Sequence, residues 1–220
     1  MRRSTSAGAR ATWSHLGDAF HAAVPQFHDI ISLFGGPQIR HVGTIGGNLV
    51  NASPIADSIP FLMVMDAQLE LFGPRGSRLV NINQFYHGYK QLELRADELI
   101  SEIRIPLPGA EERVRLTKVS RRRDLDISTV TAAIRWTMQE DTIDKIQIAL
   151  GGVGPVVLRA PQTELFLRGK PLTTDNLTTA GDIAATEVTP ISDVRGTATY
   201  RYQLIRNLFY PLAQPGRTHA

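Results

Sequence analysis

Leu16, Phe20 and Ala23 recur at helical spacing within residues 15–24, and Phe27, Ile30, Ile31 and Phe34 repeat that pattern. The spacing predicts two helices, the second stopped by Gly35-Gly36 and kept from resuming by Pro37. From Pro37 to Pro60 neither helical nor strand periodicity holds, in a stretch rich in Gly, Asn, Ser and Pro. A structureless segment of that length inside a compact domain tends to be functional. Ser58 can then cap a helix running through Ile59, Pro60 and Phe61 to Met65, with Pro60 in the first turn, where its missing N–H is harmless.

Period-two alternation follows. Leu69 and Leu71 share a face, Gly73-Pro74-Arg75-Gly76 turns the chain, and residues 79–82 return. Leu99, Ser101, Ile103 and Ile105 alternate with Ile100, Glu102 and Arg104, and Pro106 ends that strand. Residues 109–112 are polar and predict a domain boundary. Beyond it the chain reads as a separate α+β unit. Val130, Ala132, Ile134, Trp136 and Met138 alternate along a strand, Asp141-Thr142 begins a turn, and Ile146, Ile148 and Leu150 form the partner strand. Such a hairpin needs helices on its apolar face. Three are predicted: residues 161–167, residues 174–188 starting at a Thr174 cap, and residues 199–209 with Tyr200, Leu204 and Leu208 on one stripe. Trp136 is expected in the core.

Composition narrows the chemistry. The chain has 220 residues, 42% of them hydrophobic and 20% charged, which is globular and not disordered. There is no cysteine, which excludes disulfides, thiolate nucleophiles, cysteine-ligated zinc and iron–sulfur clusters held by this chain. A net charge of +3 is too mild to argue for nucleic acid. No run of 18 apolar residues is present, so no membrane span is expected. The basic, small-residue-rich start has no apolar stretch of a secretory signal and is expected to be frayed or artificial.

The most informative stretch is Gly43-Thr44-Ile45-Gly46-Gly47-Asn48. Paired glycines permit positive φ and expose successive N–H groups with no Cβ in the way. Such concavities bind phosphate, and Thr44 and Asn48 can reach the same oxygens. The loop matches neither the dinucleotide fingerprint nor a P-loop, and a Gly-Gly pair alone is most often a turn. Nine residues on, Asp57 can cap the following helix or accept hydrogen bonds from sugar hydroxyls. The basic cluster of Lys118 and Arg121–Arg123 reads by default as a solvated loop. His15, His21 and His28 lack the i, i+4 spacing of a helical metal face. His87 and Tyr89 read as structural, and no Ser/His/Asp arrangement emerges. No catalytic residue and no metal ligand is assigned.

Three ordered motifs carry a resemblance. The segment from Phe34-Gly35-Gly36-Pro37 through Gly43-Thr44-Ile45-Gly46-Gly47-Asn48 to Asp57 resembles the second FAD-binding segment of the molybdenum hydroxylases, most closely the flavin-binding small subunits of bacterial xanthine dehydrogenases. Residues 118–128 (Lys-Val-Ser-Arg-Arg-Arg-Asp-Leu-Asp-Ile-Ser) and Thr189-Pro190-Ile191-Ser192-Asp193-Val194-Arg195 with Tyr200-Arg201 support it. The resemblance runs from Ala11 to Leu212. It implies an α+β fold: a partial PCMH-type (vanillyl-alcohol-oxidase-like) FAD-binding domain over residues 1–110, then an antiparallel-sheet-plus-helices domain over residues 111–215 like that of carbon monoxide dehydrogenase flavoproteins.

By that resemblance the cofactor is FAD. Thr44, Ile45, Gly46, Gly47 and Asn48 would line the pyrophosphate, Asp57 would bind a ribityl or ribose hydroxyl, and Phe34 would pack against the cofactor. Ile100 and Lys118 match positions that reach the flavin, and Arg122, Arg123 and Asp124 match a loop beside the isoalloxazine that influences access of NAD. The implied partners are iron–sulfur and molybdopterin-binding subunits, with NAD as acceptor, in the cytoplasm. The earlier glycine-rich loop of the family has no counterpart here, so the expectation is the C-terminal part of a longer flavin subunit. Two alternatives stay open: a non-catalytic remnant that only docks to partner subunits, and the flavin subunit of a carbon monoxide dehydrogenase or hydroxybenzoyl-CoA reductase.

Overall fold

The computed structural model describes residues 3–123 and 125–213; Asp124, one of the loop residues singled out above, lies outside them. The chain opens with β1 (Ser4–Gly8), which pairs antiparallel with a much later strand and is not a frayed start. The helix α1 (Trp13–Phe20) is capped reciprocally: Thr12 Oγ1 accepts from the His15 N–H, and the His15 ring accepts from the Thr12 N–H. After α2 (Pro25–Ser32) come two short helices, α3 (Pro37–Val42) and α4 (Ile45–Asn51). The segment expected to lack structure therefore contains both. Pro37 does not keep helix from resuming. It occupies the first turn of α3 behind an extended Gly36 N-cap, a position where proline fits well.

The strand region of the first half is antiparallel throughout. It comprises α5 (Ile59–Val64), then β2 (Gln68–Gly73) and β3 (Gly76–Asn81), a small hairpin of β4 (Tyr86–Gly88) and β5 (Gln91–Leu92), and β6 (Leu99–Pro106). The main sheet has the order β1-β6-β2-β3. Glu70 pairs with Glu102 but Leu71 pairs with Ile100, which leaves Ser101 as an extra residue. The bulge switches the inward face of β6. Ile100 is buried with Ile103 and Ile105 while Leu99 is exposed, although strict alternation put Ile100 on the opposite face.

The second half forms a sheet of order β10-β9-β8-β7, from β7 (Arg113–Val119), β8 (Val130–Gln139), β9 (Thr142–Gly151) and β10 (Leu158–Arg159). One face is covered by α6 (Pro161–Leu167), α7 (Thr174–Thr186) and α8 (Ala198–Asn207). Val130, Ala132, Ile134 and Trp136 point into that cluster. The other face meets α5. All six residues of α5 are buried, so this helix is apolar all round and sits between the two sheets. Ala133 and Ala149 of the second sheet join the core of the first half. Asp66, just after α5, accepts from Arg135 at 3.1 Å and from Gln147 at 2.8 Å. On α8 the buried positions are Arg201 and Ile205, with Leu208 just beyond; Tyr200, expected on the inward stripe, is 48% exposed.

Candidate functional site

The glycine segment forms the N-terminus of α4, and Thr44 is its cap, with Oγ1 accepting from the Gly47 N–H at 3.2 Å. The remaining amides are also engaged. Ile45 N–H donates to the Ala11 carbonyl, Gly46 N–H to the Ala9 carbonyl and Asn48 N–H to the Thr44 carbonyl, each at 3.0 Å. Neither Gly46 nor Gly47 has a positive φ. The expected cradle of open amides is thus closed by the chain itself, because residues 9–12 cross directly over the loop. A Cβ on Gly46 would lie 2.7 Å from Ala9 Cβ and 2.8 Å from the Ala9 carbonyl oxygen. Gly46 is buried at this crossing, whereas Gly47 is exposed.

Asn48 turns inward, and its Oδ1 accepts from Ser58 Oγ at 2.9 Å. Ser58 stands at the N-cap position of α5 but makes no side-chain cap bond, so the capping role read from the sequence is not the one it plays. A cavity of about 310 Å³ opens beside this pair, lined by Phe34, Asn48, Ile55, Asp57, Leu125 and Ile127 among others. Phe34 is propped against Trp13, with ring centroids 4.9 Å apart. Leu125 faces the cavity from the far side in a left-handed conformation, φ 52°, unusual for a branched side chain.

Asp57 and Lys118, 61 residues apart, meet at the back of this cavity. Lys118 Nζ donates to Asp57 Oδ2 at 2.6 Å and to Ser128 Oγ at 2.7 Å, and Ser128 Oγ donates to Asp57 Oδ1 at 2.5 Å. The Lys118 and Asp57 side chains are only 4% and 8% exposed. Asp57 comes from the first half, Lys118 and Ser128 from β7 and the turn before β8. On the other side of Lys118 a second cavity of about 570 Å³ lies between α2 and β7. Arg115 and Arg121–Arg123 line it, with Asp29 the single carboxylate among its lining residues. The Arg115 Nε is buried without a hydrogen-bond partner, and burial holds the guanidinium below its ordinary pKa.

Seven of the nine residues singled out from the sequence cluster here. Phe34, Asn48 and Asp57 line the smaller cavity, and Lys118 lines the larger one. Thr44, Gly46 and Gly47 form the turn leading to Asn48. Ile45 and Ile100 sit instead in the apolar core and line neither cavity. Ser128 lies in the second motif but carries no role readable from the sequence, because the carboxylate it donates to, Asp57, lies 71 residues away. Leu125 and Ile127 were likewise missed, and Asn51 with them; only the packing brings them to the cavity.

The third motif is structural. Arg201, 2% exposed, donates to the Ile191 carbonyl and to Asp193 Oδ1, both at 2.8 Å, and Asp193 also pairs with Arg195. Burial pushes the Asp193 carboxyl up, but the Arg195 N–H and the guanidinium groups of Arg201 and Arg195 outweigh it and hold the pKa at about 2. A depressed carboxylate contributes stability above its unfolded pKa of about 4 and loses it as pH falls toward the folded value. Thermal melts between pH 4 and pH 2 are therefore expected to show a decline that is shallower in Asp193→Asn. An identical slope in both proteins would remove Asp193 from the acid response.

The sequence matches the FAD binding domain in molybdopterin dehydrogenase over residues 2–108 and the CO dehydrogenase flavoprotein C-terminal domain over residues 115–214. The xanthine dehydrogenase FAD-binding subunit of Escherichia coli O157:H7 is 32% identical over 80% of this chain and 61% of its own length. The carbon monoxide dehydrogenase medium chain of Afipia carboxidovorans is 33% identical over 86% of this chain and 66% of its own. The chain thus spans about three-fifths to two-thirds of these relatives. Reconstituted CO dehydrogenase from Oligotropha carboxidovorans superposes with a TM-score of 0.87 at 31% identity, over 94% of this chain and 73% of that one. These matches agree with the α+β architecture and with the two linked motifs at the site: the chain belongs to the FAD-binding family of the molybdopterin dehydrogenases.

Proposed function

We propose that this chain is the FAD-binding part of a xanthine-dehydrogenase-like molybdenum hydroxylase, which relays electrons from iron–sulfur clusters through FAD to NAD. Residues 1–110 would form the partial FAD-binding domain, and residues 111–215 the second domain. The observation that carries the reading is the buried Asp57–Lys118–Ser128 set between two cavities of different character. The smaller cavity offers Phe34, Ile55, Leu125 and Ile127 to a flat ring and Asn48 and Asp57 to hydroxyls. The larger one is strongly cationic. A ligand with an aromatic ring, a hydroxylated chain and an anionic end fits that sequence of surfaces.

FAD, when bound, supplies the redox chemistry, and the protein supplies binding, orientation and electrostatics. Phe34 would pack on the cofactor, and Asn48, Asp57 and Lys118 would hold its polar chain and oxygens. Exposed Gly47, with Thr44, would let the backbone approach the pyrophosphate. Ile45, Gly46 and Ile100 would act from behind, by holding α4 and β6 in place. Iron–sulfur and molybdopterin-binding subunits would be the electron-donating partners. Among the described residues no helix is long and apolar enough to cross a membrane.

Titrating FAD into the chain and following quenching of flavin fluorescence tests the reading. Saturable binding is expected in the wild type, weakened at least tenfold in Phe34→Ala and Asn48→Ala. A second reading, a piece that only docks to partner subunits, is favoured by one observation: the glycine-segment amides are taken by the Ala9 and Ala11 carbonyls. A well-folded chain that leaves flavin fluorescence unchanged would decide for that reading.

A further inference from the structure

We infer that Ser128 is the positioning residue of the cofactor site, acting through Lys118. The inference rests on the FAD reading above and adds a residue and a mechanism to it. An ammonium group has three donors. Lys118 spends one on Asp57 Oδ2 and one on Ser128 Oγ, and the third has no partner among the described residues. Lys118 lines the cationic cavity. The third N–H is thus the one group of this buried set left to meet an acceptor oxygen of a ligand.

The Ser128 hydroxyl makes that arrangement rigid. It accepts from Lys118 and donates to Asp57 Oδ1, which closes a three-membered ring of hydrogen bonds in which both carboxylate oxygens are used. Without it, Lys118 would hang from a single carboxylate oxygen and could swing about that contact, and Asp57 Oδ1 would lose its partner. Such charge-assisted bonds are the strong ones, and the site is nearly dry, with Ser128 only 1% exposed.

The backbone is built to place Ser128 accurately. The Thr129 N–H donates to the Val119 carbonyl at 2.7 Å, and Val119 pairs with Val130 in the β7–β8 ladder. Ser128 therefore lies directly outside the closing Val119–Val130 rung, with Lys118 one rung further in opposite Thr131, while Arg121–Arg123 line the larger cavity and Leu125, Asp126 and Ile127 the smaller. Thr129 Oγ1 donates in turn to the Arg195 carbonyl at 3.1 Å, which ties this rung to the Asp193–Arg201 cluster. Ser128 itself lines the smaller cavity and Lys118 the larger, so one hydroxyl fixes the point where the two meet.

The test uses the full chain as wild type, Ser128→Ala and Ser128→Thr. FAD affinity is measured by fluorescence titration beside a thermal melt, and acetylation of Lys118 by acetic anhydride is followed by mass spectrometry with and without FAD. The expected result is about tenfold weaker binding in Ser128→Ala, which stays folded but melts lower than wild type because Asp57 Oδ1 loses its buried partner. Ser128→Thr, which keeps the hydroxyl, should bind within about threefold of wild type. FAD should protect Lys118 from acetylation in the wild type and in Ser128→Thr, and less in Ser128→Ala. Equal affinity in wild type and Ser128→Ala would overturn the inference and leave the FAD reading standing. So would weak binding by both variants. If Ser128→Ala fails to fold, the wild-type acetylation decides: Lys118 unprotected by bound FAD sinks the proposal. A wild-type chain that binds no FAD removes the FAD reading itself, and this inference with it.

Discussion

Asp57→Ala should destabilise the folded protein by about 3–5 kcal/mol, the cost typical of removing one partner of a buried ion pair. The variant leaves the Lys118 ammonium 4% exposed with only Ser128 for company. For a chain of this size each kcal/mol moves the melting temperature by roughly 2–4 °C, so the shift should be plain in a thermal scan. A helix cap would cost only about 1 kcal/mol. Lys118→Met should cost a similar amount to Asp57→Ala, for the converse reason. The double variant should be more stable than the sum of the two losses, because neither charge is then stranded. Measuring all three by denaturant unfolding separates the readings. A loss near 1 kcal/mol in Asp57→Ala, additive with Lys118→Met, would mean that Asp57 is a cap and the pair contributes little. FAD affinity should fall in the same variant, and the order of events matters: here the loss of binding would follow from the loss of the ion pair's geometry.

Gly46→Val should damage the fold at least as much as it damages flavin binding. Its Cβ would enter space held by Ala9, including a backbone carbonyl that cannot swing away, since that carbonyl accepts the Gly46 N–H itself. Overpacking of this kind costs about 1–3 kcal/mol and more where backbone must shift. Gly47→Ala should behave differently. Its position is exposed, and the nearest atom to a new Cβ is Thr44 Oγ1 at 3.0 Å, so the melt should fall little. Any loss of FAD affinity there would then report on the cofactor directly. Paired melts and flavin titrations of the two variants check this. Equal stability of both proteins would show that the crossing of residues 9–12 over α4 is not tight in solution. The glycine pair, treated as one unit in sequence, is thus two residues with separate reasons to be glycine.

The legible part of the site was its chemistry by residue type. Phe34, Asn48, Asp57 and Lys118 are brought to two adjoining cavities, and each lies in a motif that could be read along the chain. What could not be read was whom they face. Asp57 reads as a helix cap or a sugar acceptor, and neither reading names its protein partners, which are 61 and 71 residues away. Ser58 looked like a cap because serine before Ile59-Pro60 is a good local cap, but Asn48 offers its hydroxyl a tertiary acceptor. Likewise the Gly46 amide looked open because nothing nearby in sequence could close it, and the carbonyl that does so belongs to Ala9 on the opening segment.

The sequence alone determined the elements with strong periodicity. The β2–β3 hairpin, the long β8 and β9 strands and the helices α1, α6 and α7 follow from apolar spacing and turn residues, which are local properties of the chain. Local pattern failed where a neighbour in space overrides it. β1 has no apolar stripe to announce it and exists because β6 offers an edge to pair with. β7 alternates weakly and is held between β8 and the Gln26 side chain of α2, whose Oε1 accepts the Leu116 N–H at 2.9 Å. Ile100 turned inward because of a one-residue bulge opposite Glu70 and Leu71, a feature of pairing and not of composition. Only the tertiary structure could decide that α5 lies between two sheets, and that this packing brings Asp57 from one half against Lys118 and Ser128 from the other. The physical reason is range: apolar periodicity acts over a few residues, whereas a buried charge takes its partner from whatever the packing delivers.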